Sequence, residues 1–270
     1  MTITVRRVRF DFPEGLDTIF IDGEPEESYQ NVALSLLLPY LEPYLIRTMR
    51  AARPRVKDGA LLADLDKFVE QEGQHYRQHA AFNAAIHGRG LAVVKPLEEE
   101  LEDDYRRFLR SESLAFNLAY AEGFEAFTAA TACAMLEGGM SNWQLAARDL
   151  FVWHIVEELE HRTVAFDVYQ HVVGSYAQRL RVGLFAQRHL LRFVLRAAGR
   201  LIHADPRTLA DYGGREGRRA RLRRLRFRLL RDLLPRLLRT YSPRYNPRDI
   251  RLPAALPELT ARYTAMAASQ

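Results

Sequence analysis

A run of histidines and glutamates inside an apolar helical pattern constrains the fold of this chain most strongly. The run occupies residues 153–161, with the sequence WHIVEELEH. Glu158 and His161 are three residues apart and lie on one face of an α-helix, which His154 joins from one turn earlier. Burying such side chains among apolar neighbours costs free energy unless something binds their charges. A metal ion commonly does so, and the run predicts a metal-binding helix in the core.

A second stretch repeats this pattern on an earlier predicted helix. Glu72 and His75 are again three residues apart, and His79 follows one turn later. Two Glu-x-x-His elements on separate helices are typical of di-iron and di-manganese carboxylate bundles, which also take one glutamate from each of two other helices. We therefore expect two further buried glutamates.

The first of these glutamates is predicted to be Glu42, the one acid inside an apolar helical segment over residues 29–52. Pro39 and Pro43 flank it, and prolines inside a helix kink it and free backbone carbonyls. A metal ligand beside such a distortion is the functional interpretation. The alternative is a charge at a helix break that has no function.

The second glutamate is expected on the next core helix, where Glu122 and Glu125 share one face among small and aromatic side chains. Glu42 precedes Glu72 by 30 residues, and Glu125 precedes Glu158 by 33. Each half of the sequence is thus a glutamate helix followed by a Glu-x-x-His helix. The linker between the halves matches the long crossover of ferritin-like bundles.

The predicted fold class is all-α, a ferritin-like four-helix bundle with two additional C-terminal helices. The bundle helices are expected at about residues 29–52, 59–87, 111–137 and 143–173, with Gly88 and Gly90 closing the second and an acidic helix running into the third. The predicted domains are an N-terminal arm (1–27), the dinuclear-metal bundle (28–174), and basic C-terminal helices with an extended tail packed on the bundle (175–270).

Charge is divided unevenly along the chain. Residues 1–174 carry 17 basic and 28 acidic side chains, whereas residues 175–270 carry 22 and 6. Two basic amphipathic helices are therefore expected to contact an acidic partner or an anionic membrane surface; the alternative is an arginine-rich solvated face that stabilises the acidic first half. Nucleic-acid binding is disfavoured because no interleaved aromatic residues or recognisable motif accompany the arginines. A homodimer is left open.

The expected cellular compartment is inferred from the cysteine count and from the targeting and membrane-spanning segments that the sequence lacks. The single cysteine, Cys133, excludes a disulfide framework and fits a reducing compartment. The first residues, MTITVRRVRFDFPEG, lack the apolar core of a signal peptide, and no stretch of about 18 uncharged apolar residues occurs. We expect a cytoplasmic protein, with peripheral contact at the membrane as an option.

Four segments carry a family resemblance. They are LSLLLPYLEPYL around Glu42, EQEGQHYRQHAAFN around Glu72, EAFTA at Glu125, and WHIVEELEHRTVAFDVYQ around Glu158. With these segments the chain resembles, over most of its length, the ferritin-like family called predicted metal-dependent hydrolases. The EAFTA segment favours Glu125 over Glu122 as the ligand. Two departures are Pro43, which is not usually proline in this family, and the tail motif YNP, which has Asn246 where the family typically shows His.

A second resemblance is local. The spacing of His154, Glu158 and His161 is similar to the fourth helix of di-iron arylamine N-oxygenases, which add a third histidine to the six-residue set. By this analogy Glu157 resembles the outer carboxylate that orients a ligand histidine on the partner helix. The expected metal ligands are Glu42, Glu72, His75, Glu125, His154, Glu158 and His161, with His79, Glu122 and Glu157 as additional or outer residues.

This donor set indicates two divalent metal ions, with iron favoured and manganese or zinc as alternatives. Four glutamates carry four negative charges, which two divalent ions neutralise. The preferred function is O₂ activation that oxidises a small organic substrate. An external electron donor is then needed, because the sequence has no cysteine cluster or glycine-rich dinucleotide loop. The alternatives are a hydrolase that uses metal-activated water and a non-enzymatic metal-binding protein.

Overall fold

The computed structural model describes residues 2–13, 16–86 and 91–270, and within these ranges the fold is helical with no β-strand. The prediction of an all-α protein is confirmed. The helices are α1 (Pro25–Ala52), α2 (Gly59–Ile86), α3 (Lys95–Ser111), α4 (Leu114–Gly138), α5 (Leu145–His161), α6 (Val164–Val172), α7 (Tyr176–Ala204), α8 (Arg207–Ala210), α9 (Gly214–Arg228), α10 (Leu234–Thr240) and α11 (Leu256–Ala268).

Four of these helices carry the expected ligands and pack against one another. Helix α1 contacts α2 and α4, and α5 contacts α2 and α4. Because α1 and α4 are apolar on nearly every face, both are buried along most of their length. The arrangement brings the polar middle of each helix into a common interior. The ferritin-like class of this bundle stays a prediction, as does the division into three domains.

Two predicted helix boundaries within the bundle are wrong. The acidic helix does not run into the third core helix, because Ser113 begins α4 as its N-cap and accepts a hydrogen bond from the Phe116 amide at 3.1 Å. The helix predicted over 143–173 is interrupted after His161. Here the Arg162 guanidinium donates to the Leu159 carbonyl at 2.6 Å, and this carbonyl would otherwise accept the amide of residue 163.

The chain termini also differ from expectation. Helix α1 begins at Pro25, earlier than the predicted start near residue 29, because proline is tolerated in the first helical turn. The tail is not wholly extended, since Pro257 likewise lies in the first turn of α11 and needs no amide partner there. The predicted end of the second bundle helix at Gly88 and Gly90 lies outside the described residues.

The N-terminal arm is extended and alternates between buried and exposed side chains. Arg6, Val8 and Phe10 are buried, whereas Arg7 and Arg9 are exposed. This alternation follows from the period of two in an extended chain. The arm therefore inserts one guanidinium, that of Arg6, into the protein interior, where it meets α5.

The basic C-terminal helices form ion pairs with acidic helices of the first half. On α9, Arg221 donates to both carboxylate oxygens of Glu26, at 2.6 and 2.9 Å. On α7, Arg192 and Arg196 pair with Glu100 of α3 at 2.7 and 2.8 Å. These pairs are what the solvated-face alternative requires, and contact with an anionic membrane or an acidic partner stays a prediction. Among the described helices, none is long and apolar enough to cross a membrane.

Helices α4 and α7 approach each other most closely at two glycines. A Cβ atom built on Gly123 would overlap the backbone of Gly183. The contact is supported by the Gln187 amide, which donates to the Gly123 carbonyl at 3.1 Å. Glycine at position 123 therefore sets the distance between α7 and the helix that carries Glu125.

Candidate metal centre

The structure brings all seven expected ligands together in the protein interior. They come from α1, α2, α4 and α5, and all are buried. Their donor atoms form two groups, and within each group one atom from every residue lies within 4.8 Å of the others. The groups are Glu42, His75 and His154, and Glu72, Glu125, Glu158 and His161.

Distances within the larger group centre on His161. Its Nε2 atom lies 3.3 Å from Glu72 Oε1, 3.5 Å from Glu125 Oε2 and 3.3 Å from Glu158 Oε2. The carboxylate of Glu158 also faces the smaller group, since its Oε1 atom lies 3.5 Å from His75 Nδ1 and 2.8 Å from His154 Nε2. Glu158 thus stands between the two groups and faces both.

Many of these buried donor atoms have no hydrogen-bond partner among the described residues. They include both carboxylate oxygens of Glu42, Glu72 and Glu125, and Nδ1 of His75. A buried polar atom without a partner costs about 1–3 kcal/mol, and more when it is charged. Burying so many unpaired donor atoms in one place is unfavourable unless cations bind them. The arrangement therefore fits a metal centre.

Burial and close approach of the carboxyl groups shift their pKa values. Burial, followed by repulsion from neighbouring carboxylates, raises the pKa of Glu42 and Glu72 well above the usual range. The same causes raise the pKa of Glu125 to about 7. Burial also acts to raise the pKa of Glu158, but the three neighbouring imidazoles, above all that of His161, lower it well below its usual value. Divalent ions would relieve the repulsion.

Two of the imidazoles each direct one nitrogen toward the carboxylates and the other toward an outer acceptor. His75 Nε2 donates to Glu157 Oε2 at 3.1 Å, which leaves Nδ1 facing the centre. His161 Nδ1 donates to Gln71 Oε1 at 2.9 Å, which leaves Nε2 facing the centre. Such outer partners fix the tautomer and the ring orientation of metal-binding histidines. Glu157 therefore accepts a hydrogen bond from an imidazole of α2, and its part in metal binding stays a prediction.

A chain of hydrogen bonds fixes the third imidazole in the same way. The Ser35 hydroxyl donates to Asn83 Oδ1 at 2.6 Å, so His79 Nδ1 must donate to Ser35 Oγ at 2.8 Å. His79 Nε2 is then the acceptor for His154 Nδ1–H at 2.7 Å. His154 Nε2 faces the centre and lies 2.8 Å from Glu158 Oε1. Burial, with repulsion from His75, lowers the pKa of His154 to about 4, so this imidazole is uncharged at neutral pH.

Two of the additional candidates, His79 and Glu122, lie outside both ligand groups. His79 is hydrogen-bonded to the centre through His154. Glu122 instead accepts a hydrogen bond from Arg179 at 3.1 Å, and burial raises its pKa to about 7 despite that cation. Its partner Arg179 also donates to the carbonyls of Thr240 and Ser242, which ties the C-terminal segment to α4.

Three outer residues were not anticipated from the sequence. Arg6 donates to Glu160 Oε1 and Oε2 at 2.6 and 2.9 Å and lies 3.4 Å from Glu157 Oε1. Gln71 donates to Glu160 Oε2 at 3.2 Å while accepting from His161. Arg6 therefore anchors the outer acceptors of both His75 and His161. The in–out alternation of the arm is the only local signal for Arg6.

The comparison with protein families agrees with this geometry. The family model for predicted metal-dependent hydrolases matches residues 4–251, so the chain belongs to that family. No curated protein and no solved structure matches the chain significantly. The local likeness to arylamine N-oxygenases thus gains no support from these comparisons and stays a prediction.

Proposed function

We propose that this member of the predicted metal-dependent hydrolase family is an enzyme that works through two divalent metal ions held between α1, α2, α4 and α5. The observation that carries the proposal is the set of buried carboxylate and imidazole atoms without hydrogen-bond partners at one place in the core. The donors are four carboxylates and three imidazoles, a set that suits iron, manganese or zinc.

Each side chain has a defined task in this proposal. Glu42, Glu72 and Glu125 would supply carboxylate ligands from three helices, and Glu158, whose two oxygens face the two ligand groups, would contribute to both. His75, His154 and His161 supply nitrogen ligands whose tautomers are set by Glu157, His79 and Gln71. The outer acceptors also hold the ring protons, so that the inner nitrogens keep free lone pairs toward the ions.

Hydrolysis of a small substrate is the reaction that we place first, because the family description names it. A pair of divalent ions supplies Lewis-acid activation of water and stabilises negative charge that develops on the substrate. The protein contributes a rigid site, since the ligands come from the middle of long buried helices. The three outer acceptors keep the imidazoles in place while charge changes at the centre.

Oxidation that depends on O₂ is the second candidate, and enclosure of the centre by aromatic rings favours it. The Trp153 ring lies edge-on to His75 at 5.0 Å, and the Phe68 ring lies edge-on to His161 at 4.7 Å. Such surroundings exclude water and protect reactive species. An external electron donor is part of this candidate, because the chain contains one cysteine, Cys133.

Metal analysis of anaerobically purified protein tests the proposed centre. We expect about two ions per chain and a large loss in Glu72→Gln, whereas Glu137→Gln, an exposed acid on α4, keeps the wild-type content. Equal metal content in the two variants would remove the proposed centre.

The two reactions are separated by a second assay. Zinc- or manganese-loaded protein is tested on ester, amide and phosphoester substrates, and iron-loaded protein is tested for O₂ uptake coupled to a reductant. Cleavage without O₂ uptake supports hydrolysis, and O₂ uptake without cleavage supports oxidation. A metal-loaded protein that does neither supports the remaining alternative, a non-enzymatic metal-binding protein. Location in the cytoplasm and assembly as a homodimer stay predictions.

A further inference from the structure

A cleft of about 820 Å³ opens between α4 and the C-terminal segment over residues 231–254. One wall is the small-residue face of α4, with Ala126, Ala130 and Cys133. The opposite wall is polar, and the cleft lining as a whole contains five arginines and three acids, which leave a net charge of +2. These charged residues are Arg231, Arg236, Arg239, Arg244, Arg251, Glu137, Asp232 and Asp249.

The positive charge of the cleft is not fully used within the protein. Arg231 pairs with Asp232 at 2.7 Å, and Arg236 pairs with Glu137 at 2.5 Å. The other three guanidinium groups have no side-chain hydrogen bond or ion pair within the part of the chain that the structure describes. They belong to Arg239, Arg244 and Arg251. Guanidinium forks without a partner can bind a carboxylate or a phosphate through two parallel hydrogen bonds.

The cleft lies next to the metal centre. Ala126 lines it and directly follows Glu125 on α4. Tyr245 also lines it, and its buried phenol oxygen has no hydrogen-bond partner among the described residues. Burial, and then the negative charges of Glu122 and Glu125, raises the pKa of this phenol. Ala126 thus places this wall of the cleft beside the part of α4 that carries Glu125.

We propose that this cleft binds the enzyme's substrate, and that the substrate is a small organic anion carrying a carboxylate or a phosphate. The guanidinium groups of Arg244 and Arg251 hold the anionic group, and the apolar face of α4 contacts the carbon skeleton. Only the identification of the bound anion as a substrate rests on the proposed function, because binding of an anion in the cleft does not require metal.

Binding of three probes to wild-type and variant proteins tests the proposal. The probes are benzoate, phenylphosphonate and neutral benzamide, titrated calorimetrically into metal-free and metal-loaded protein at low salt. The test variant is Arg244→Gln/Arg251→Gln. The matched control is Arg219→Gln/Arg223→Gln, which removes the same charge from exposed positions of α9. Metal content is measured for each protein.

We expect the two anions to bind in both metal states, and benzamide to bind at least tenfold more weakly than benzoate. The Arg244→Gln/Arg251→Gln variant should lose about tenfold in anion affinity for each charge-assisted hydrogen bond removed, while the control variant keeps the wild-type affinity. Equal affinity for benzoate and benzamide, or equal losses in the test and control variants, would overturn the proposal. Anion binding by a protein that takes up no metal when metal is offered supports the cleft and contradicts the metal centre, whereas metal uptake without anion binding supports the centre and contradicts the cleft.

Discussion

Replacing Arg6 with methionine tests whether the N-terminal arm supports the metal centre. The Arg6 side chain is 2% exposed and donates to both oxygens of Glu160. It also lies beside Glu157, the acceptor for His75. Methionine fills a similar volume but carries no charge. The Arg6→Met variant therefore leaves two buried carboxylates without their cation.

The size of the effect follows from this burial. Removing one partner of a buried ion pair costs about 3–5 kcal/mol, since the remaining charge stays uncompensated. We expect a loss of that size in the unfolding free energy of the metal-free protein. Loss of an outer partner also lowers metal affinity by about 10–100-fold. The stability and metal affinity of Arg6→Lys should lie between those of the wild type and Arg6→Met, because lysine keeps the charge but cannot donate to both oxygens through a planar fork.

Urea denaturation of metal-free protein measures the first effect, and competition with a chromophoric chelator measures the second. Arg7→Met is the matched control, because Arg7 is the next residue of the same arm and is exposed. Its expected change in stability is within about 0.5 kcal/mol. If Arg6→Met is as stable as Arg7→Met and binds metal equally well, the arm has no role at the centre and the reasoning is wrong.

Three further predictions concern the centre and the helices around it. Metal affinity should rise between about pH 5 and 8, and metal binding should release protons. The reason is that Glu125, whose pKa is raised to about 7, must lose a proton before it binds metal, whereas His154 is already neutral. Calorimetry in two buffers measures the proton release. That raised pKa also means that Glu125 stabilises the metal-free protein below pH 4.5 and loses this contribution as the pH rises towards 7. Gly123→Ala should destabilise the protein by about 1–3 kcal/mol or more in thermal or urea unfolding, since the new Cβ meets the backbone of Gly183. Gly73→Ala is the control: its Cβ has space, and the variant should be as stable as the wild type or more stable. His154→Ala should lower the metal content from about two ions to one, as this histidine belongs to the smaller ligand group; unchanged content would return it to a packing role.

Much of the candidate site could be predicted from the sequence, because helix geometry alone places residues three and four apart on one face. Glu72 with His75, and Glu158 with His161 and His154, follow from that spacing. The structure brings them together as the periodicity indicates. Glu42 could be predicted because burying a charge in an apolar helix costs free energy unless a partner binds it.

The choice between Glu122 and Glu125 could not be made from spacing. Both are buried on α4, and the difference lies in what each one meets. Arg179 of α7 neutralises Glu122, whereas Glu125 faces His161. The family resemblance favoured Glu125, but the physical cause is an ion pair with a helix that comes much later in the chain.

What the sequence determined by itself is therefore local: the all-α class, the helix faces and the residue types that face inward. What only the tertiary structure decided is which distant groups meet those faces. The outer role of His79, the anchoring of Glu160 by Arg6, and the break of the helix after His161 are of this second kind. The reason is physical, since a helical face is set by a repeat of 3.6 residues, whereas the partner of a buried donor depends on how sequence-distant elements pack.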